Sequence, residues 1–250
     1  MTISSNYRCI KYWLLSLIFL AEFSHAFSNI KIASYDIPAI IQADGKGEYD
    51  KIFQQVNGIT DSKLQYQVLP PARVDIMFNS KQIDCILPFD KKFHEDANTI
   101  NSMPFSIAQA YIYSAKGTQA LTLNQLKNKK VGARLGMLYG PEFDDAQLNV
   151  EYVSYIEQNI DKLNAGRIDA FVAWAPDSIQ AFKNKSIGNL PHTKSFIRHN
   201  DAFLCHDTIA ARKFIKTFNR GLKILHKYNI DKQGSVIVQQ QVTQPNSVSH

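Results

Sequence analysis

The sequence lacks the short motifs that mark several common enzyme and cofactor classes. It contains no HExxH, no GxSxG, no P-loop and no glycine pattern for binding a dinucleotide. Its histidines show no metal-ligand spacing. We therefore expect neither a metal nor another cofactor, and we expect the run His199-Asn200-Asp201 to lie at the surface.

Clustered basic charge is also missing. The formal net charge is +6, and the Lys and Arg residues are spread along the chain rather than grouped. A nucleic-acid-binding surface would show them grouped on one face. We therefore expect no nucleic-acid partner.

Cysteine is scarce, and its distribution bears on where the protein folds. The chain has three cysteines, and Cys9 lies in the N-terminal segment. Cys85 and Cys205 each lie in an apolar run typical of a strand. Export would permit a disulfide between them, but buried free cysteines are common, and two buried thiols are the simpler expectation.

Long apolar runs are limited to one, near the N-terminus, and it predicts a signal peptide. Arg8 and Lys11 flank the start of an apolar run that extends to residue 21, and Ser24-His25-Ala26 matches a small-x-small cleavage signal. A permanent anchor needs about 20 apolar residues, although an uncleaved anchor stays an alternative. We expect residues 1–26 to be removed and the protein to be exported to a periplasm.

Two similar stretches occur in different halves of the chain. Residues 78–86 read FNSKQIDCI and residues 163–171 read LNAGRIDAF. Each combines a helix end, a turn and a short apolar strand opened by Ile-Asp. Two such units in one chain predict two similar α/β lobes with a cleft between them.

The order of the predicted elements supports this organisation. Strands and helices alternate, which indicates parallel sheets covered by helices. The predicted strands are 29–34, 64–69, 83–87, 110–114, 130–133, 151–153, 168–173 and 202–205. The predicted helices are 48–56, 70–79, 123–127, one from 141, one from a capping box at 154–157, 207–228 and 231–241. We expect lobe I to comprise 27–114 and 203–241, lobe II 115–202, and 242–250 to form a disordered tail.

Several motifs resemble those of one family when their order is considered together. Residues 69–84 (LPPARVDIMFNSKQID) resemble a Pro-x-x-Arg helix followed by an x-Asp strand, and Ser102-x-Pro104-Phe105 resembles a Ser-Asp-Pro-Tyr element. Residues 123–143 (LNQLKNKKVGARLGMLYGPEF) resemble the segment that follows. The chain in this way resembles the family 3 bacterial extracellular solute-binding proteins of the periplasmic amino-acid-binding type. The resemblance implies a type II periplasmic binding fold, whose two lobes are joined by two crossing strands and close on a ligand.

The chain departs from the family where an amino acid would be held. An Arg shortly before the Ser-x-Pro element clamps the ligand carboxylate in the family, and Glu95 and Asp96 stand there in this sequence. The family's ammonium-pairing Asp falls at Trp174, and Asp177 is the nearest carboxylate. We therefore expect ordinary α-amino acids to bind weakly or not at all.

Four aromatic residues are the leading candidates for ligand contacts. Tyr35, Phe89 and Trp174 are placed at or after the ends of predicted strands, where open α/β sheets bind ligands. Tyr139 lies in the loop before Pro141. Flat aromatic faces suit a cation or a planar ring.

Two further features set the expected charge of the ligand. Gly136 opens a loop before Pro141 whose backbone N–H groups would favour a carboxylate or phosphate at a helix N-terminus, although an ordinary turn explains it equally well. If Glu95 or Asp96 faces the cleft instead, a cation is favoured.

The expected function is that of a monomeric periplasmic binding protein. It would capture a small polar molecule between its lobes and deliver it to an ABC-transporter permease or a sensor. One alternative is an enzyme of the cyclohexadienyl dehydratase type, with Glu48, Glu95, Asp96 or Asp177 as general acid. Another is a degenerate, non-binding interaction module.

Overall fold

The computed structural model describes residues 30–94, 96–175 and 177–233. The predicted signal peptide, the predicted tail and Glu95 lie outside these residues. The strands are β1 (Ile32–Tyr35), β2 (Gln67–Leu69), β3 (Cys85–Phe89), β4 (Thr99–Asn101), β5 (Ser106–Ser114), β6 (Lys130–Arg134), β7 (Asn149–Val153), β8 (Ala170–Ala175) and β9 (Ile197–His206). The helices are α1 (Glu48–Thr60), α2 (Pro71–Asn79), α3 (Pro141–Asp145), α4 (Ile156–Asn164), α5 (Asp177–Asn184) and α6 (Ile209–Gln233), with short 3-10 helices at Lys91–Phe93 and Leu123–Leu126.

One continuous sheet runs through the molecule in the order β2-β1-β3-β9-β5-β8-β6-β7, with β4 added on β9. β1 pairs in parallel with β2 and β3, and β6 pairs in parallel with β7 and β8. We call the half around β1–β3, with α1, α2 and α6, lobe I, and the half around β6–β8, with α3–α5, lobe II.

The two lobes are joined by the antiparallel strands β5 and β9. β9 pairs with β3 over Ala202–Cys205 and with β5 over Ile197–Asp201. β5 continues into lobe II, where it pairs with β8 over Gln109–Ser114. This arrangement confirms the predicted two-lobe α/β fold with two crossing strands.

The Ile-Asp repeat has the same structural role in each lobe. In lobe I the Asp84 carboxylate accepts from the backbone N–H of Lys31 at 2.7 Å, and the Asp84 N–H donates to the Lys31 carbonyl at 2.8 Å. In lobe II Asp169 makes the same two bonds with Lys130, at 2.7 and 2.8 Å. Each aspartate joins the beginnings of two neighbouring parallel strands, which explains why the sequence repeats.

Lobe I encloses an aromatic core. Phe53, Phe203 and Phe218 are almost fully buried and contact one another at ring-centroid distances of 4.7–6.0 Å. α6 packs closely on α1 through Gly221, where an added Cβ would lie 2.6 Å from the Thr60 side chain. Lobe II instead has a core on each face of its sheet, because β8 points Phe171 to one face and Val172 to the other.

The helix α5 was not predicted, and α6 begins at Ile209 rather than at residue 207. Other helix boundaries also differ from prediction. α1 continues through Gly58 to Thr60 and ends before Asp61, whose φ of 50° is left-handed. α4 begins at Ile156, because the Tyr155 N–H donates to the Gln158 side chain in place of the predicted capping box at 154–157. α6 runs unbroken to Gln233, across the break predicted between two helices.

Cys85 and Cys205 form a disulfide, which corrects the expectation of two free thiols. The two residues face each other in register across β3 and β9, with their Cα atoms 4.0 Å apart. Strand pairing therefore brings them within bonding reach, although they are 120 residues apart in sequence.

Within the described part of the chain, no helix has the length and apolar character needed to cross a bilayer. The same residues contain no group of His, Cys, Asp or Glu side chains arranged to hold a metal ion.

Candidate ligand-binding site

A cavity lies between the two lobes, over the crossing strands. Its volume is about 50 Å³, below the roughly 300–1,000 Å³ of sites that hold drug-sized ligands, so this arrangement of the lobes leaves room only for a small ligand. Lobe I contributes Tyr35, Ile37, Ile40, Tyr49, Pro88 and Phe89, and lobe II contributes Met137, Leu138, Trp174, Ala175 and Asp177. Ala108, His199 and Asp201 on β5 and β9 form its floor.

Three of the sequence-predicted site residues are brought together here. Tyr35 and Phe89 end the neighbouring strands β1 and β3, and Trp174 lies near the end of β8 on the opposite wall. The Tyr35 hydroxyl donates to Asp75 at 2.5 Å, and the Trp174 indole N–H donates to the Leu138 carbonyl at 3.1 Å. These bonds fix the orientation of both rings.

Two other predicted residues lie near the cavity but do not line it. Tyr139 packs behind Trp174, with the rings nearly parallel at 9° and their centroids 6.2 Å apart. Gly136 lies against α2 of lobe I, where an added Cβ would meet the Ala72 nitrogen at 2.4 Å. The loop that they belong to contributes the apolar side chains of Met137 and Leu138 to the cavity. α3, which follows this loop, has only five residues, so the predicted anion site has little support.

The acidic pair of the sequence prediction is not part of the cavity lining. Asp96 is half-buried and accepts from the Asn98 N–H at 2.8 Å, so it stabilises a turn. That bond holds the pKa of Asp96 below its usual value. Glu95 lies outside the described residues. Whether any predicted residue contacts a ligand stays a prediction.

The floor of the cavity carries a buried polar group that sequence reasoning placed at the surface. Asp201 is 3% exposed, and its carboxylate accepts hydrogen bonds from the Tyr49 hydroxyl and from His199 Nδ1, the latter at 2.7 Å. His199 Nε2 accepts from the Asp90 N–H at 2.9 Å. His199 and Asp201 are two residues apart on a strand and therefore share a face, which was the available signal.

A second buried polar group, Arg134 and Asp177, was missed because its partners are distant in sequence. Arg134 Nη1 donates to Asp177 Oδ2 at 3.0 Å, and its Nε donates to the Ser154 carbonyl at 3.2 Å. Its Nη2 donates to the Asp36 carbonyl in lobe I at 2.7 Å. The guanidinium of lobe II thus bridges to lobe I beside the cavity.

Burial and the ion pair act on Asp177 in opposite directions. Burial raises the pKa of this carboxyl and the Arg134 guanidinium lowers it, and the effect of burial is larger, so the pKa rises to about 6. The side chains of Asp177 and Arg134 are 7% and 4% exposed. The cost of removing the Asp177 carboxylate from water therefore exceeds what its pairing with Arg134 returns.

No protein-family model and no curated protein sequence matches the chain. Solved structures do resemble it. A histidine kinase sensor domain with similarity to periplasmic binding proteins gives a TM-score of 0.69 at 14% identity, over 83% of this chain and 95% of that one. The ligand-binding core of GluR0 from Nostoc punctiforme, in complex with L-glutamate, gives 0.65 at 14% identity, over 82% and 94%. An ancestral arginine-binding protein bound to arginine gives 0.64 at 17% identity, over 83% and 95%.

These likenesses concern the fold, since the identities are low. They agree with the two crossing strands, the two parallel half-sheets and the cavity between the lobes. The chain accordingly has the type II periplasmic-binding-protein fold of the family 3 solute-binding proteins.

Proposed function

We propose that the protein captures a small molecule in the cavity between its lobes and holds it by lobe closure. The observation that supports this most directly is that both lobes and both crossing strands contribute residues to one cavity. A site divided in this way is completed only when the lobes approach each other. The Arg134–Asp36 bond and the close approach of Gly136 to Ala72 are contacts of such a closed arrangement.

The lining argues against an ordinary α-amino acid as the ligand. Among the described residues that line the cavity, none is a Lys or Arg that would pair with a carboxylate. Arg134 is near, but its charge is paired with Asp177, and three of its five N–H donors are used by Ser154, Asp177 and Asp36. Losing one partner of a buried charge contact costs roughly 2–5 kcal/mol, so micromolar binding of free amino acids is not expected.

The cellular role that fits this activity is export followed by delivery. Cleavage after Ala26 would leave a monomeric protein in the periplasm, where it would hand its ligand to a membrane permease or to a sensor. Mass spectrometry of the protein from its native host should find Phe27 at the N-terminus. Membrane-bound material that retains Met1 would contradict this.

One observation favours the enzymatic alternative enough to test it. Asp177 lines the cavity with a pKa of about 6, and a carboxyl poised near neutral pH is suited to general acid catalysis. A binding protein returns its ligand unchanged. Mass spectrometry of the ligand after long incubation with the protein separates the two functions.

A screen followed by one pair of variants tests ligand capture. Amino acids, polyamines, organic acids and sugars are screened by thermal shift, and hits are titrated by calorimetry. Trp174→Leu should abolish binding, while Phe171→Leu should not, because Phe171 lies on the same strand but in the core on the other face of the sheet. Equal loss in both variants, or binding unaffected by Trp174→Leu, would overturn this assignment of the site.

A further inference from the structure

Two carboxylates line the cavity without a matching number of cations. Asp177 and Asp201 are 5% and 3% exposed, and both contribute to the lining. No Lys or Arg among the described residues lines the same cavity. The cavity wall is therefore acidic as well as apolar.

The two carboxylates differ in how their charge is balanced. Asp177 is paired with the Arg134 guanidinium at 3.0 Å, which cancels its charge. Asp201 accepts from the Tyr49 hydroxyl, a neutral donor, and from His199. His199 Nε2 accepts from the Asp90 N–H, so this nitrogen carries no proton and the imidazole is the neutral Nδ1–H tautomer. Asp201 is thus a buried negative charge held by neutral donors alone, which buried charges rarely are.

Aromatic rings surround the floor where Asp201 lies. Tyr35 and Phe89 meet at 68° with their centroids 6.5 Å apart, and Phe89 and His199 meet at 78° and 6.2 Å. His199 and Trp174 then meet at 68° and 5.3 Å. Successive rings set steeply to one another form adjoining walls rather than a stack. Tyr35, Phe89 and Trp174 all line the cavity, and the face of such a ring attracts a cation within about 6 Å of its centroid.

We propose that the ligand is an organic ammonium cation without a carboxylate, held with its charged nitrogen near Asp201 and among these rings. This inference rests on the proposed capture of a ligand in the same cavity and specifies its chemical class. The cation supplies the positive charge that Asp201 lacks, and its alkyl or aromatic body contacts Ile37, Met137 and Leu138. A carboxylate on the ligand would face the charge of Asp201, and the nearby Arg134 guanidinium is already paired with Asp177.

The test compares cations with neutral compounds of the same shape. Exported protein, residues 27–250, is titrated by calorimetry with choline, benzylamine and putrescine. The neutral counterparts are 3,3-dimethyl-1-butanol for choline, toluene for benzylamine and 1,4-butanediol for putrescine. At least one cation should bind about 100-fold or more tightly than its counterpart.

Three results have distinct meanings. Equal affinity for a cation and its neutral counterpart overturns the proposed ligand class. Binding of only neutral or anionic compounds, lost in Trp174→Leu, also overturns it but leaves ligand capture intact. If no class of compound binds, ligand capture itself is contradicted, and this inference with it.

A pair of isosteric variants tests whether Asp201 supplies the negative charge that binds the cation. Asp201→Asn should weaken cation binding about 100-fold while the neutral counterpart is unaffected. Asp161→Asn makes the same chemical change at an exposed residue that pairs with Lys185 on the surface, and it should alter neither. Cation binding that survives Asp201→Asn would overturn the assignment of Asp201. If that variant does not fold, the cation-to-neutral ratio of the unaltered protein still decides the proposal.

Discussion

Two kinds of side-chain partner hold several of the buried or half-buried carboxylates. Three carboxylates of lobe I and the crossing strand β9 accept from a tyrosine hydroxyl, whereas the buried Asp177 of lobe II is paired with a guanidinium. The tyrosine pairs are Tyr66–Asp50, Tyr35–Asp75 and Tyr49–Asp201, and the guanidinium pair is Arg134–Asp177.

The kind of partner decides whether the negative charge of a carboxylate is balanced within the protein. A hydroxyl satisfies the hydrogen-bonding capacity of a carboxylate but leaves its charge, while a guanidinium cancels the charge as well. The cavity takes one carboxylate of each kind, Asp201 and Asp177. The negative charge of the site therefore comes from Asp201, which is paired with a tyrosine hydroxyl. Removing a tyrosine hydroxyl and removing the guanidinium should lower the free energy of unfolding by different amounts.

The largest effect is expected from removing the guanidinium. Arg134→Met leaves Asp177 buried without its cation and should lower the free energy of unfolding by about 3–5 kcal/mol, measured by urea denaturation. The double variant Arg134→Met/Asp177→Leu removes both charges and should recover most of the loss. A double variant no more stable than Arg134→Met would show that the ion pair is not the cause.

Lobe I has a covalent link that lobe II lacks among the described residues. Replacing Cys85 and Cys205 together by Ala should lower the free energy of unfolding by about 2–4 kcal/mol, because the bond closes a long loop of the unfolded chain. Hydrogen exchange should quicken in β3 and the adjoining part of β9 more than in β6 and β8. Free thiols in untreated protein that consists of residues 27–250, and so lacks Cys9, would contradict the disulfide.

The titration of Asp177 gives a pH signature specific to lobe II. Its folded pKa of about 6 lies above the usual 3.8, so the native state binds the proton more tightly than the unfolded chain. Its contribution to stability is therefore full below pH ~4 and is lost as pH rises through about 6, with a limit of ~3 kcal/mol.

The control for this signature is Asp177→Asn, which cannot titrate. Arg134, Glu157 and Asp36 all act on the Asp177 charge and remain in the variant. Relative to Asp177→Asn, the unaltered protein should lose stability between pH 4 and pH 7 in urea denaturation. A difference that is flat with pH would refute the raised pKa.

The smallest effect is expected from a lobe I tyrosine. Tyr66→Phe removes one neutral donor from Asp50, which keeps the backbone N–H groups of Gln42 and Gly47. The free energy of unfolding should fall by about 1 kcal/mol. A loss as large as that of Arg134→Met would remove the distinction between the two lobes.

Features that depend on residues close together in the sequence could be predicted, and features that depend on residues far apart in the sequence could not. The two strands that follow the Ile-Asp repeats could be predicted because each aspartate lies directly before its own strand. Pro141 was correctly predicted to lie in the first turn of α3. The position of Tyr35, Phe89 and Trp174 in the cavity wall could be predicted because strand ends meet where the cleft opens, and their contact with a ligand stays a prediction. The lobe boundaries predicted at residues 114 and 202 stay predictions.

The features that were missed depend on partners brought together by the fold. Asp177 is 43 residues from Arg134, and Asp201 is 152 residues from Tyr49. No local pattern in the sequence indicates either pair. The disulfide was left open for the same reason, because only strand register brings Cys85 opposite Cys205.

The most direct test of ligand capture between the lobes is the fluorescence of Trp174. The chain has two tryptophans, and Trp13 lies in the predicted signal peptide, so Trp174 is the sole tryptophan of protein prepared as residues 27–250. A compound that binds by calorimetry should change the Trp174 emission saturably, with the same dissociation constant, and should reduce its quenching by acrylamide. Calorimetric binding that leaves both the emission and the quenching of Trp174 unchanged would contradict a ligand site between the lobes.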